Sequence, residues 1–218
     1  MDLLDLYKRV EHTLLKPDAS EMDVHEVLTQ AHQWQCRAAC IPPVYVLSAL
    51  QYLEQTQMHL PIVSVAGFPL GYQSDKVKWT EIKELHALGV DEIDVVCPLY
   101  LAKAGAWDKV DLELGMYVAA AQGTPIKAII ETSQLSDDEI KRYCHIINAH
   151  DLAFAKTSTG FVGGGATVHH VKLLREHLDP KIKIKASGGI QTKDEMLDLI
   201  EAGADVLGMS RVRQALEE

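Results

Sequence analysis

Ala155-Lys156-Thr157-Ser158-Thr159-Gly160-Phe161-Val162-Gly163-Gly164-Gly165-Ala166-Thr167 is the stretch on which the reading of this chain turns. Leu152, Ala153, Phe154 and Ala155 make a short apolar run with the character of a buried strand. Lys156 therefore stands at the rim of an apolar interior, where burial disfavours the charged amine. The glycines that follow leave backbone N–H groups unobstructed, and Thr167 is placed to cap the helix begun by His169-His170-Val171-Lys172-Leu173-Leu174. Such a turn suits an anion, most simply a phosphate. A lone strand-end lysine is more often a snorkelling surface residue, and a glycine run more often a plain loop. A second unit of the same kind changes the balance: Ile182-Lys183-Ile184-Lys185-Ala186-Ser187-Gly188-Gly189-Ile190 again ends a strand on lysine, small residues and glycine.

Outward from these two units the chain repeats one beat. Leu3, Leu4, Leu6, Tyr7 and Val10 fall at helical spacing and predict a short opening helix. Strands are then expected at 11–16, 37–41, 61–69, 91–97, 126–131, 152–156, 182–187 and 206–210. Pro42-Pro43, Pro69 and Pro98 close three of them, because proline cannot continue a sheet ladder. Helices are expected between them, from Ser20 to about Trp34, Val44 to Glu54, Ser74 to Leu88, Trp107 to Gln122, Ser136 to Ala149, Thr167 to His177 and Thr192 to Ala202. Ser136 with Glu139 has the capping-box form, and Asp194 and Glu195 suit the first turn of the last of these helices.

Eight near-continuous apolar strands alternating with helices argue for a parallel sheet closed as an α/β (β/α)8 TIM barrel with a short N-terminal helix. An open doubly wound sheet is the alternative. The 218 residues give about 27 per unit, close to what such barrels need. Residues 1–218 are accordingly expected to be a single domain.

Lysine and arginine number 21 against 31 aspartates and glutamates, for a net charge of −10. That balance speaks against a nucleic-acid partner and requires a local cationic pocket for any small anion. Cys36, Cys40, Cys97 and Cys144 lack metal-ligand or disulfide spacing, as expected of reduced thiols. No signal-like segment and no run of 18 apolar residues occurs, so a cytoplasmic protein without a membrane partner is expected.

Barrel enzymes build their sites at the carboxyl ends of the strands. The polar residues there are Thr13 and Lys16, Cys40, Gly67, Asp94, Glu131 and Thr132, Lys156 with Thr157 to Gly160, Lys185 with Ser187 to Gly189, and Ser210. Asp94, set in Ile93-Asp94-Val95-Val96, needs a partner in so apolar a setting, and a lysine would serve. Strands six and seven are neighbours in a barrel, which brings Lys156 and Lys185 close. Two amines in a low-dielectric site cannot both stay charged, and the neutral one can attack a carbonyl. This predicts Schiff-base chemistry, with Lys185 and Asp94 moving protons. Lys183, on the same side as Lys185 but deeper, is expected to pair with an acidic residue and to take no part. His12, His169 and His170 are read as solvated or structural. Charge binding alone, as in a non-covalent phosphosugar isomerase, and a catalytically silent phosphosugar-binding barrel are the rival readings.

His12-Thr13-Leu14-Leu15-Lys16-Pro17, Gly67-Phe68-Pro69-Leu70-Gly71, Glu92-Ile93-Asp94, Lys156-Thr157-Ser158-Thr159-Gly160-Phe161 and Lys185-Ala186-Ser187-Gly188-Gly189-Ile190 together resemble, in order, the motifs of the deoxyribose-phosphate aldolases, a class I aldolase family. The resemblance implies the same barrel and the reversible cleavage of 2-deoxy-D-ribose 5-phosphate into acetaldehyde and D-glyceraldehyde 3-phosphate. It implies Lys156 as the imine-forming nucleophile, Lys185 as the lysine that perturbs it, and Asp94 as acid/base partner. Cys40, Thr159, Gly160, Gly188, Gly189 and Ser210 are the implied substrate contacts, and a homodimer the implied assembly. No cofactor or metal is implied, because the protonated imine is itself the electron sink. The chain departs from the family pattern at Glu11, usually aspartate, at Cys97-Pro98, and at Gly208-Met209-Ser210-Arg211, where Arg211 either grips a phosphate or faces solvent.

Overall fold

The computed structural model describes residues 2–217, so the two ends of the expected 1–218 domain lie outside the described residues. Eight parallel strands close into one barrel in the order β1 to β8. They are β1 (Val10–Thr13), β2 (Ala38–Ile41), β3 (Ile62–Ala66), β4 (Glu92–Val96), β5 (Ile126–Ile129), β6 (Phe154–Lys156), β7 (Lys183–Ser187) and β8 (Val206–Met209). The barrel closes where β8 pairs with β1, with Gly208 opposite Glu11.

The helices, in order, are α1 (Leu3–Tyr7), α2 (Glu21–Gln33), α3 (Val46–Thr56), α4 (Asp75–Leu88), α5 (Leu99–Lys103), α6 (Trp107–Ala121), α7 (Asp137–Ala149), α8 (Val168–His177), α9 (Lys193–Glu201) and α10 (Val212–Glu217). Reciprocal capping boxes start α2 at Ser20/Asp23, α7 at Ser136/Glu139 and α9 at Thr192/Glu195. Each satisfies amide groups that a helix start otherwise leaves orphaned, a stabilisation of about 1 kcal/mol. The five-residue α5 and the terminal α10 fall outside the sequence expectation. Both are too short for an apolar periodicity to show, and Pro98, which ends β4, also sits at the N-cap of α5.

Alternation along the strands sorts the interior. Ile93 and Val95, Ala128, Ala155, and Ile184 and Ala186 join the large apolar cluster shared with the helices. Their neighbours in sequence, Asp94, Lys127, Lys156 and Lys185, bond across the barrel instead. A smaller apolar cluster of Ala38, Cys40, Val63 and Val65, with Leu15 and Phe68 packed on it, fills the β2–β3 side. Lys183 corrects an expectation. It is exposed at the start of β7, with its Nζ 5.5 Å from the Phe154 ring centroid, because one strand step below Lys185 already reaches the open bottom of the barrel.

Candidate active site

Register explains how four charged residues meet. Lys156 of β6 stands level with Lys185 of β7, and Asp94 of β4 stands level with Lys127 of β5. Lys156 Nζ and Lys185 Nζ each donate to Asp94 Oδ2 at 2.7 Å, and Lys127 Nζ donates to Asp94 Oδ1 at 2.8 Å. Asp94, Lys127 and Lys185 are completely buried and Lys156 is 3 % exposed. Glu11 accepts from Lys185 through Oε2 and from Arg37 at 2.8 Å through Oε1. Glu92 binds Arg37 and, at 2.6 Å, Lys127.

This network joins four cations, Arg37, Lys127, Lys156 and Lys185, to three carboxylates, Glu11, Glu92 and Asp94. One cation is in excess, and burial of the three lysines disfavours keeping every one of them charged. Lys156 is the lysine of the three whose amine is lowered. Burial first, and then the charge of Lys185, lower its amine below the usual 10.5, against the pull of Asp94. For Lys185 burial acts the same way, but Asp94 and Glu11 outweigh it and hold the ammonium protonated. Lys127 is likewise kept charged above 10.5 by Asp94 and Glu11 in spite of burial. Burial would raise the Asp94 carboxyl, yet Lys127, Lys156 and Lys185 hold it well below 3.8. The amine-lowering expected from Lys185 is present, but removal from water is its larger cause.

Above this layer lies a cavity of ≈ 210 Å³ that contains Lys156, Thr159, Gly160, Gly188, Gly189 and Ser210, with Lys16 and Phe161 also on its wall. Gly160 and Gly188 have φ of 82° and 88°, a region that favours glycine, and their turns meet across the cavity. Gly165 closes on the second turn, where a Cβ would lie 2.3 Å from Gly188 O.

Comparison with known proteins is decisive at this point. No family model matches the chain. It is 39 % identical over 212 residues to the deoxyribose-phosphate aldolase of Desulfitobacterium hafniense, covering 96 % of each chain. To that of Thermococcus gammatolerans it is 38 % identical over 209 residues, covering 95 % of this chain and 93 % of the relative. The chain belongs to the deoxyribose-phosphate aldolase family. It is an aldolase, an aldehyde-lyase. Among solved structures, an aldolase described as QR15 superposes with a TM-score of 0.90 at 33 % identity, covering 98 % of this chain and 95 % of its own. The deoxyribose phosphate aldolase of Aeropyrum pernix, described as having a unique tetrameric structure, superposes with a TM-score of 0.87 at 29 % identity, covering 99 % and 91 %.

Within this family frame, the expected residues divide into three groups. Lys156, Lys185 and Asp94 meet in the charged layer, and Thr159, Gly160, Gly188, Gly189 and Ser210 line the cavity above it. Cys40 stands apart. It is fully buried, outside the cavity lining, with its Sγ within 4.8 Å of carboxylate oxygens of Glu11 and Asp94. Those three groups do not fit a cation: Lys127, Lys156 and Lys185 already engage the carboxylates, and burial raises the thiol and keeps it protonated. Arg211 is exposed and lines a neighbouring cleft with His12, Lys16 and Ser210. His12 is buried, bonded to Gln30 at 2.9 Å and packed on Trp34, which is a structural role.

Sequence reasoning passed over Lys127, Arg37 and Glu92. Lys127 carried the same signal as Asp94, a charge flanked by apolar strand neighbours, and the matching register was what the chain alone could not supply. Glu11, noted as a departure, is long enough to bond Lys185 directly.

Proposed function

We propose that the protein is a class I aldolase that reversibly cleaves 2-deoxy-D-ribose 5-phosphate to acetaldehyde and D-glyceraldehyde 3-phosphate through an imine on Lys156. The observation that carries this reading is the depressed amine of Lys156, which shares Asp94 Oδ2 with the firmly protonated Lys185. The neutral Nζ adds to the C1 aldehyde carbon of the open-chain sugar. Asp94 takes up the proton that the nitrogen sheds and returns it to the alkoxide oxygen, and Lys185 gives the second proton with which the carbinolamine hydroxyl leaves as water. The Lys185 amine, having given up its proton, accepts the C3 hydroxyl proton, later returned to C2, and the C2–C3 bond breaks. Its electron pair passes into the iminium as an enamine while the three-carbon phosphate departs as an aldehyde. Protonation at C2 and hydrolysis then return acetaldehyde and the free amine.

Thr159, Gly160, Gly188, Gly189 and Ser210 serve as the substrate-binding wall, the glycine amides facing the phosphate, with Cys40 one layer beneath. Residues 1–218 act in this reading as one aldolase-type domain, a cytoplasmic homodimer; sedimentation equilibrium giving a monomer or tetramer would overturn the dimer. Borohydride reduction in the presence of acetaldehyde, followed by peptide mass mapping, is expected to place the adduct on Lys156. An unmodified Lys156 excludes the imine. Lys156→Arg keeps the charge but cannot form the imine, and is expected to lose all turnover. Retained turnover would instead favour a non-covalent phosphosugar isomerase.

A further inference from the structure

Glu131 is a buried carboxylate for which the aldol chemistry above has no task. It lies two residues past the end of β5 and holds a φ of 58°, a left-handed conformation that side-chain-bearing residues rarely adopt. Such a conformation persists only where the surroundings impose it. Here the surroundings are specific. Glu131 Oε2 accepts from Thr159 N at 3.1 Å and from the Thr159 hydroxyl at 2.6 Å. The same hydroxyl oxygen accepts from Phe161 N at 3.2 Å. A relay of donors thus runs from the Phe161 amide through the Thr159 hydroxyl to the carboxylate, each bond polarising the next. The Phe161 ring in turn meets Phe68 edge-on at 5.2 Å. Two residues past Glu131, Ser133 Oγ donates to Gly163 O at 2.9 Å, tying the same loop a second time.

The residues that Glu131 ties down, Thr159 to Phe161, form one wall of the cavity, and Glu131 itself does not line it. Lys156 is held by different means: its own strand register opposite Ile129 and its bond to Asp94. We propose that Glu131 is a positioning residue. It fixes the 159–161 turn against the Gly188–Gly189 turn across the cavity and so sets affinity for the phosphorylated end of the substrate, without acting on the reacting atoms. The inference rests on the aldolase reading given above.

Glu131→Gly relieves the left-handed backbone while cutting the tether, and Glu131→Gln keeps an oxygen that can accept both Thr159 bonds. These variants separate a positioning role from a purely conformational one. Steady-state cleavage of 2-deoxyribose 5-phosphate is measured beside borohydride trapping of acetaldehyde, which carries no phosphate. For Glu131→Gly the expected result is a KM raised about tenfold, kcat within about threefold, and unchanged trapping on Lys156. Glu131→Gln is expected to restore most of the KM. An unchanged KM in Glu131→Gly, or a fall in trapping to match any loss of turnover, overturns the proposal. If Glu131→Gly does not fold, Glu131→Asn, which tolerates the left-handed region but is too short to reach Thr159, carries the same expectation. Failure of both to fold assigns Glu131 to the fold alone and ends the proposal. Absence of trapping in the unaltered protein would count against the imine chemistry, not against the tether.

Discussion

Lys156 and Lys185 are chemically identical side chains one strand apart, and the structure gives them opposite characters. Glu11 makes the difference: it bonds Lys185 and not Lys156, so of two equally buried amines only one has a second carboxylate. Lys185→Leu removes the neighbouring positive charge and leaves Asp94 to Lys156 and Lys127. The pKa that governs imine trapping at Lys156 is then expected to rise, so that trapping at neutral pH falls about tenfold per unit of rise and recovers on the alkaline side. A trapping profile identical to that of the unaltered protein would refute the coupling. Asp94→Asn takes a carboxylate away from three buried lysines, two of which, Lys127 and Lys185, are held charged. Denaturant unfolding is expected to show a loss of about 3–5 kcal/mol, as for other buried pairs broken on one side.

The two glycine-rich turns after β6 and β7 work as a pair of elements. Ala166 N donates to both Ser187 O and Gly188 O at 3.1 Å, so the first turn is pinned to the second through backbone alone. Gly165 is what allows the approach, since a Cβ there would stand 2.3 Å from Gly188 O and 2.6 Å from its carbonyl carbon. Backbone cannot yield as a flexible side chain does. Gly165→Ala is expected to cost about 1–3 kcal/mol, visible as a Tm lower by roughly 2–4 °C for each kcal/mol. KM for the phosphorylated substrate should rise with it, and an unchanged Tm together with an unchanged KM would contradict the packing described.

For the molecule as a whole, a charged layer occupies a barrel interior where branched apolar side chains are usual. Its stability must therefore depend on pH. In Asp94 and Glu92 burial works to raise the carboxyl, and lysine and arginine neighbours reverse it, leaving both below their ordinary 3.8 and 4.5. A carboxyl depressed in the folded state contributes stability that is fully present above its unfolded value and is lost as pH falls through the folded one. Unfolding free energy is thus expected to decline steadily below about pH 4.5, after a smaller decline that begins near 6.5, where the unfolded chain protonates His12 and burial keeps the folded ring from doing so. Lys156 has the opposite sense among the cations. With its folded value below 10.5, the unfolded chain binds more protons in the interval between, so its contribution improves with rising pH there. Urea titrations from pH 3 to 7 test the acid limb, and a flat series would contradict a buried charge network.

The chain by itself determined the barrel, because parallel strands buried on both faces read as apolar runs and prolines, caps and glycines punctuate them regularly. It also pointed to Lys156, Lys185 and Asp94 as residues in need of partners, since a charge in an apolar strand demands one. Tertiary structure alone decided which partner each one has. Strand register set Lys127 beside Asp94, the length of Glu11 reached Lys185, and closure of β8 on β1 brought Glu11 into the same layer. Those contacts join residues as far apart as Glu11 and Lys185, 174 positions along the chain. No local pattern encodes a distance across a closed barrel, and that distance is what lowers the amine of one lysine and holds its neighbour charged.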